Sequence, residues 1–382
     1  MLTVGLYGKP STGKSTFFSA VTKKVVTIAE HPFSTTTSDE GIAYVSDTCP
    51  CTEFSITCNP ANGTYCQSGT RFVPIKIIDV PGVIGGAHAG KGLGKQSLSA
   101  LNKVDGLIYL LDLTREDCIE DFELLKNEYI LWVTNILNKN WRGISKEVAG
   151  MRRPLDLVIQ THLNTFNIDP RYVKIMLEDL PRNPYDWTGN TIKLFSERIW
   201  AKKKYVIAAN KADLCLDQLG VIEALQKKYG RKVLPVSSLS ELILIRRQET
   251  GDVRYVRGSN NFTVLKNRDE ELSRIERTMA VLGGTGVQAC LNNLVFDELE
   301  QILAYPVENI DRLDDSRGRV LPGPYLMPQH STLADFARRV HTEISEGLLF
   351  GVDARHRRRI GKQTPLQQND IIKLVHTRKK GK

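Results

Sequence analysis

The sequence has no run of about 18 consecutive apolar residues, no low-complexity tract and no internal repeat. These absences exclude a simple membrane-spanning helix, a chain dominated by disorder, and a solenoid. The first residues run straight into a short apolar segment, with no basic stretch and apolar core of the kind that makes a secretory leader. The expectation is therefore a cytoplasmic protein without a membrane partner. Seven cysteines are present, but paired C-x2-C knuckles are missing, which removes the commonest zinc-binding pattern. The 382 residues, 41% hydrophobic and 25% charged, suffice for two or three domains of ordinary size with at least one large core.

What is present begins at the eighth residue. Gly8-Lys9-Pro10-Ser11-Thr12-Gly13-Lys14-Ser15 fits G-x-x-x-x-G-K-[ST] without a gap. The stretch Leu2 to Tyr7 before it reads as a buried strand, and Ser15 to Thr22 has the apolar spacing of a helix start. Gly8 and Gly13 let backbone N–H groups turn inward on phosphate oxygens, and the helix N-terminus adds partial positive charge. Lys14 would reach the β- and γ-phosphates and the Ser15 hydroxyl would hold Mg²⁺, with Thr16 opening the helix.

Further candidates sit at the ends of later apolar runs. Phe72 to Ile78 reads as a strand that ends in Asp79-Val80-Pro81-Gly82. Asp79 stands where a carboxylate reaches Mg²⁺, and Gly82 where a backbone N–H meets a γ-phosphate. Before it, a hydroxyl-rich loop, Ser34 to Thr37, would offer a threonine to the metal. Gly106 to Asp112 is a continuous apolar strand of the parallel type, and from about Glu116 to Lys204 helical periodicity takes over. Tyr205 to Ala209 returns to strand and ends in Asn210-Lys211-Ala212-Asp213. A carboxylate at Asp213 accepts from both the ring N–H and the exocyclic amine of guanine, a pair of donors that adenine lacks, while Asn210 and Lys211 brace the loop. A last strand, Lys232 to Val236, leads into Ser237 and Ser238, placed for a backbone N–H to meet the guanine oxygen.

Taken in order, these motifs resemble those of the Obg-related GTPases, most closely the YchF subfamily in its archaeal form. The likeness covers Gly8 to Thr16, His31 to Thr37, Asp79 to Gly94, Asn210 to Asp213 and the chain from about Ala304. It implies an α/β fold: a Ras-like P-loop G domain on a mostly parallel sheet, with a helical insertion and a C-terminal ubiquitin-like β-grasp (TGS) domain. The expected divisions are 1–115 and 205–303 for the two parts of the G domain, 116–204 for the insertion and 304–382 for the TGS domain. By position Thr35 matches the switch threonine that serves both metal and catalysis, with Thr36 as the alternative. The resemblance implies GTP as substrate, Mg²⁺ as cofactor, slow turnover, a monomer, and a ribosome or RNA partner.

Two positions depart from what such enzymes carry. Relatives usually have asparagine where Ser11 stands, and that asparagine goes with potassium-assisted hydrolysis, so K⁺ dependence is in doubt. Val83 follows Gly82 where Ras-like enzymes place a water-orienting glutamine, and a valine cannot hydrogen-bond to water. The family keeps a histidine at the place of His88, which makes His88 the candidate for that task. The intact Asn210, Lys211 and Asp213 favour GTP over ATP; a relaxed NTPase, or an RNA-binding module with a structural nucleotide site, are the alternatives.

Two features stand apart from the nucleotide motifs. Cys49, Cys51, Cys58 and Cys66 crowd a turn-rich stretch with spacing C-x-C-x6-C-x7-C. Free thiols, a disulfide and a metal all suit it, free thiols first because a cytoplasmic disulfide is unusual and the spacing is not a standard zinc pattern. Residues 305–382 hold 15 Lys and Arg against nine Asp and Glu, which places six of the net +9 charges there. Arg355, Arg357, Arg358 and Arg359 form the densest run, suited to RNA phosphates or simply to a solvated face.

Overall fold

Val4, Leu6, Ile75, Ile77, Leu107 to Leu111 and Val206 to Ala209 are all buried, and runs this apolar can only form strands covered on both faces. The computed structural model, which describes residues 1–22, 39–151, 153–163 and 171–377, places them in one sheet. Its strands are β1 (Thr3–Tyr7), β2 (Asp39–Thr48), β3 (Tyr65–Gln67), β4 (Thr70–Asp79), β5 (Gly106–Asp112), β6 (Tyr205–Asn210) and β7 (Val233–Val236). Their order is β2-β4-β1-β5-β6-β7, with β3 paired to β4. The pairs β4–β1, β1–β5, β5–β6 and β6–β7 are parallel. Register sets Leu6 beside Asp79, Asp112 beside Asn210, and Asn210 beside Val236. The expected loops thus emerge from the same edge of the sheet, at the carboxyl ends of parallel strands, where open α/β folds bind ligands.

Helices Cys118–Met151, Leu155–Leu163, Arg171–Leu177 and Gly189–Ala201 occupy the helical stretch. The helical stretch shares its core with the sheet. One cluster of buried side chains runs from Tyr7, Tyr109 and Leu111 through Phe122 and Tyr129 to Trp141, Trp187 and Phe195. The Tyr7 hydroxyl donates to Leu125 O at 2.9 Å, and Trp141 stacks on Trp187 at 4.3 Å. Because the 34-residue helix Cys118–Met151 leaves directly from the end of β5, its first turns must cover that strand before they can pack on other helices.

A hairpin, β8 (Val253–Tyr255) and β9 (Phe262–Val264), and a helix, Glu270–Leu282, follow β7 and close a small core around Leu244, Tyr255 and Ile275. Among the described residues no single helix is long and apolar enough to cross a membrane.

Contacts divide the chain into two compact units, Met1–Ile42 with Lys76–Cys290, and Ala43–Ile75 with Leu291–Lys382. Residues 43–75, which the sequence grouped with the first part of the G domain, therefore belong to the same unit as the C-terminal region. In that unit β10 (Gln301–Val307), β11 (Tyr325–Pro328), β12 (Leu348–Asp353), β13 (Arg358–Ile360) and β14 (Asp370–His376) form a sheet of order β11-β10-β14-β12-β13. Only β10–β14 is parallel; the other pairs are antiparallel. The helix Leu333–Val340 starts at a capping box, Thr332 with Asp335, which satisfies two orphan donors reciprocally. Its apolar face sets Leu333, Phe336 and Ala337 against Met327, Leu348, Leu366 and Ile372. The helix Leu333–Val340, followed by the short helix Thr342–Gly347, with a mixed five-stranded sheet is the β-grasp arrangement that the resemblance implied.

Phe336 is fully buried at the centre of that core. Phe336→Ala should cost about 3–5 kcal/mol through lost burial and a residual cavity. Chemical denaturation checks this; a loss under about 1 kcal/mol would mean that the ring is not a core anchor.

Candidate nucleotide site

The loop after β1 has the backbone that its composition predicts. Gly13 has φ +91°, a conformation glycine adopts freely. A Cβ there would sit 2.3 Å from Asn210 Nδ2, so no larger residue fits. The Lys14 ammonium is buried and donates to Gly8 O at 3.1 Å and Lys9 O at 2.6 Å, while the Thr12 hydroxyl donates to Lys9 O at 3.0 Å. Ser11 stands exposed at the turn with φ +65°. Lys9 reaches out of the loop to Asp121 at 2.5 Å, an anchor the sequence did not reveal.

The two candidate metal ligands meet. The Ser15 hydroxyl donates to Asp79 Oδ2 at 3.0 Å. Asp79 Oδ1 is buried and has no hydrogen-bond partner among the described residues, which is costly for a carboxylate unless a cation completes the site. Burial pushes the Asp79 carboxyl up to about 6, against the opposing pull of Lys14 and Ser15. Burial likewise lowers Lys14 to about 8, with Asp79 opposing. Both shifts describe charges short of partners, and a metal–phosphate pair is the chemistry that supplies them. The turn after Asp79 touches the phosphate loop: Val83 N donates to Gly8 O at 3.1 Å, and a Cβ on Gly82 would come within 2.8 Å of Pro10 N. Thr35 and the rest of its loop lie outside the described residues.

The base-recognition candidates are joined to the phosphate loop by one side chain. Asn210 Nδ2 donates to Thr12 O at 2.8 Å, and its Oδ1 accepts from the Ser238 N–H at 3.1 Å and hydroxyl at 2.8 Å. Lys211, at φ +62°, sends its ammonium back to Asp112 at 2.6 Å. Asp213 follows in a short 3-10 turn, Ala212–Leu214, and lines a cleft of about 200 Å³ together with Gly13, Thr16, Lys211 and Ser238. Two expectations change here. Ser237 N donates to Thr285 O at 2.8 Å and its hydroxyl caps the helix Ser238–Glu249. Both serine N–H groups are therefore engaged inside the protein, and these serines hold the loop in shape. The cleft also takes Leu214, Leu239 and Arg274. Arg274 comes from the helix Glu270–Leu282, far along the chain, and no motif marks it.

His88 lies in a 3-10 turn, Ala87–Ala89. Glycines flank this turn on both sides, and Glu128 on the long helix anchors it. The Glu128 carboxylate accepts from Gly86 N at 2.7 Å and His88 N at 2.8 Å, and lies 2.8 Å from His88 Nδ1. Burial alone would raise the Glu128 carboxyl; those donors outweigh it and hold it below the usual carboxylate range. Glu128 was not singled out in the sequence, since one acid in an amphipathic helix carries no signal.

The basic run in the other unit makes contacts within the protein. Arg355 bonds to Glu53 and to Asn369 O, Arg357 to Asp311, and Arg358 approaches Asp353 at 3.4 Å. The Arg359 guanidinium lies 3.5 Å from the centre of the Phe350 ring. Arg355 is committed most deeply, its side chain only 22% exposed, whereas Arg357 and Arg358 keep 69% and 67% of theirs exposed in weak surface pairs.

Comparison with known proteins gives consistent matches. A family profile described as "50S ribosome-binding GTPase" matches residues 3–160. One described as "Obg-like GTPase YGR210-like, G4 motif-containing domain" matches 208–309, and a TGS domain profile matches 314–376. A GTP-binding protein of Methanocaldococcus jannaschii is 35% identical over 398 residues, covering 99% of this chain and 100% of that one. A GTP-binding protein of Schizosaccharomyces pombe is 29% identical, over 82% of this chain and 83% of its own. Among solved structures, a GTP-binding protein from Pyrococcus horikoshii OT3 aligns with TM-score 0.79 at 30% identity, covering 99% of this chain and 100% of that one. The Schizosaccharomyces pombe YchF GTPase shares the fold, with TM-score 0.58 at 17% identity over 98% and 97% of the two chains.

Gly13→Ala should disrupt both the phosphate loop and its link to Asn210, since the added methyl meets Nδ2 at 2.3 Å. Affinity for a fluorescent GTP analogue should fall by at least about tenfold, with the fold retained by circular dichroism; unchanged affinity would show that the phosphate loop tolerates the clash.

Proposed function

Since this chain belongs to the Obg-like GTPases of the YchF type, GTP-binding proteins with a G domain and a TGS domain, we infer that it hydrolyses GTP to GDP and phosphate at a slow intrinsic rate and that ribosomes or RNA read its nucleotide state. The observation that carries the reading is the Asn210 amide, which holds the phosphate loop and the base-recognition loop in one site. A loop built only for structure has no need of a buried, unmatched Asp79 oxygen beside the Ser15 hydroxyl.

Ser15 and Asp79 fit Mg²⁺, which when bound would neutralise charge on the β- and γ-phosphate oxygens. Lys14 would exchange its bonds to Gly8 O and Lys9 O for those oxygens and stabilise the charge that spreads over them in the transition state. Asp213 would accept from guanine, between the apolar edges of Leu214 and Leu239. With both serine N–H groups engaged, the Leu239 N–H in the same first helical turn is the donor for the guanine oxygen. Val83 cannot orient water, so that task falls to His88. A neutral imidazole that donates from Nδ1 to Glu128 keeps its lone pair on Nε2, ready to accept from an attacking water. A regulatory partner is supported by the TGS domain and by the charge of residues 305–382, although the arginine run supplies less free charge than its composition suggests.

Single-turnover hydrolysis and nucleotide competition test this. Lys14→Ala should lower the rate by about 10²-fold or more, and Asp213→Asn should remove the preference for GTP over ATP. Equal affinity of the unaltered protein for both nucleotides would reject the guanine assignment. His88→Ala should slow hydrolysis by about 10²-fold at unchanged GTP affinity. Glu128→Gln should slow it less, by about tenfold, because the histidine stays but loses its orienting charge. If His88→Ala turns over at the original rate, the histidine has no part in the chemistry. Co-sedimentation with ribosomal particles should differ between the GTP- and GDP-loaded forms; no association in either form would reject the partner.

A further inference from the structure

The four clustered cysteines come together in the unit that holds residues 43–75, in the stretch of sequence between the hydroxyl-rich loop and Asp79. Cys49 precedes the short helix Pro50–Glu53, Cys51 lies within it, Cys58 follows in the loop and Cys66 sits on β3. The turn is held by Cys49 N donating to Gly69 O at 2.8 Å and Ile56 N to Cys51 O at 3.0 Å. All four Sγ atoms lie within 4.8 Å of one another, with Cys49 to Cys58 at 4.0 Å and Cys51 to Cys66 at 3.9 Å.

That arrangement selects among the alternatives. Four thiolates at about 2.3 Å from a tetrahedral zinc stand about 3.8 Å from each other, close to the separations seen. A disulfide would bring one partner to about 2.05 Å and give no reason for the other two sulfurs to gather around it. An iron–sulfur cube spreads its thiolates around a cluster and holds them farther apart. The surroundings suit a charged centre as well. Arg71, fully buried on β4, donates from one guanidinium nitrogen to Cys49 Sγ at 3.3 Å and to Leu321 O at 2.9 Å. A zinc with four thiolates carries a net charge of −2, and a buried guanidinium bonded to one thiolate offsets part of it.

We propose that Cys49, Cys51, Cys58 and Cys66 form a mononuclear structural zinc site, with Arg71 as its buried counter-charge. Binding forms four zinc–sulfur bonds and releases the thiol protons to solvent, with no change of oxidation state. The site fixes the loop against the segment that leads into β11. Asn59 N donates to Val320 O at 2.8 Å and Ala61 N to Pro322 O at 2.5 Å, beside the Arg71 bond to Leu321 O. Of the three successive carbonyls of 320–322, two thus rest on a loop that is too short and polar to hold its shape by apolar burial and the third on Arg71 of β4, and a metal supplies the missing constraint. The C-x-C spacing differs from a zinc knuckle because Pro50 starts a helix between the two cysteines, so both sulfurs still reach the same point.

The experiment uses the full chain, purified under reducing conditions without chelator. Elemental analysis should find about one zinc per chain, and exchange with Co²⁺ should give the charge-transfer and d–d bands of a tetrahedral tetrathiolate. Cys58→Ser and Cys66→Ser should each lower bound zinc by at least about tenfold, whereas Cys215→Ser, outside the cluster, should leave it unchanged. If the ligand variants do not fold, the stoichiometry and cobalt spectrum of the unaltered protein decide. A folded, reduced protein that takes up neither Zn²⁺ nor Co²⁺ overturns the proposal, as does an intact mass showing that these cysteines are joined in disulfides.

Discussion

The buried amide of Asn210 is the contact on which the nucleotide-binding edge of the sheet depends. Its two ends face opposite ways, one donating to Thr12 O in the loop after β1, the other accepting from Ser238 at the start of the helix after β7. Removing it would leave a carbonyl, a backbone N–H and a hydroxyl unmatched in a site where Asn210 is only 1% exposed, and each orphan costs about 1–3 kcal/mol. Gly13 has to be glycine because the amide passes through the space a Cβ would fill. A residue first singled out for guanine recognition thus also sets the shape of the phosphate loop.

Electrostatics divide the site into groups that already have partners and groups that do not. Lys211 is paired with Asp112, Lys9 with Asp121, and His88 with Glu128. Among the described residues, Asp79 keeps a buried oxygen without a partner, and Lys14 donates to neutral carbonyls of its own loop. The unsatisfied charges are the ones a metal-bound triphosphate would meet, while the paired ones hold the frame. Perturbed groups gathered at strand ends are the pattern expected of a functional site.

The cysteine cluster shows the same logic in a small, weakly apolar region. The loop between β2 and β3 contributes few core side chains, yet it orders a run of carbonyls at 320–322. Hydrogen bonds alone leave such a loop free to reorganise, whereas a four-ligand centre fixes four points of the chain at once. Arg71 links the centre to Leu321 O directly, so ligand geometry and carbonyl placement are set together.

The sequence by itself determined the parts whose physics is local. A glycine loop between an apolar strand and a helix, Asp79 and Asn210 at the ends of apolar runs, and the order of these motifs sufficed for the parallel sheet and the nucleotide edge, while the terminal β-grasp was what the family resemblance implied. Each depends on residues adjacent in the chain, where periodicity and backbone preference leave a readable trace. Tertiary structure alone decided what rests on distant contacts. Glu128 reaches His88 across 40 positions and Arg274 enters the base cleft from a late helix. The serine N–H groups proved to be engaged within the protein. The helical stretch shares the core of the sheet, residues 43–75 join the C-terminal unit, and the arginine run is paired with acids as far away as Glu53. None of these leaves a mark in spacing or composition, because a buried partner is chosen by where two surfaces meet after folding, and four cysteines with an unfamiliar spacing become a tetrahedron only when the chain has brought them together.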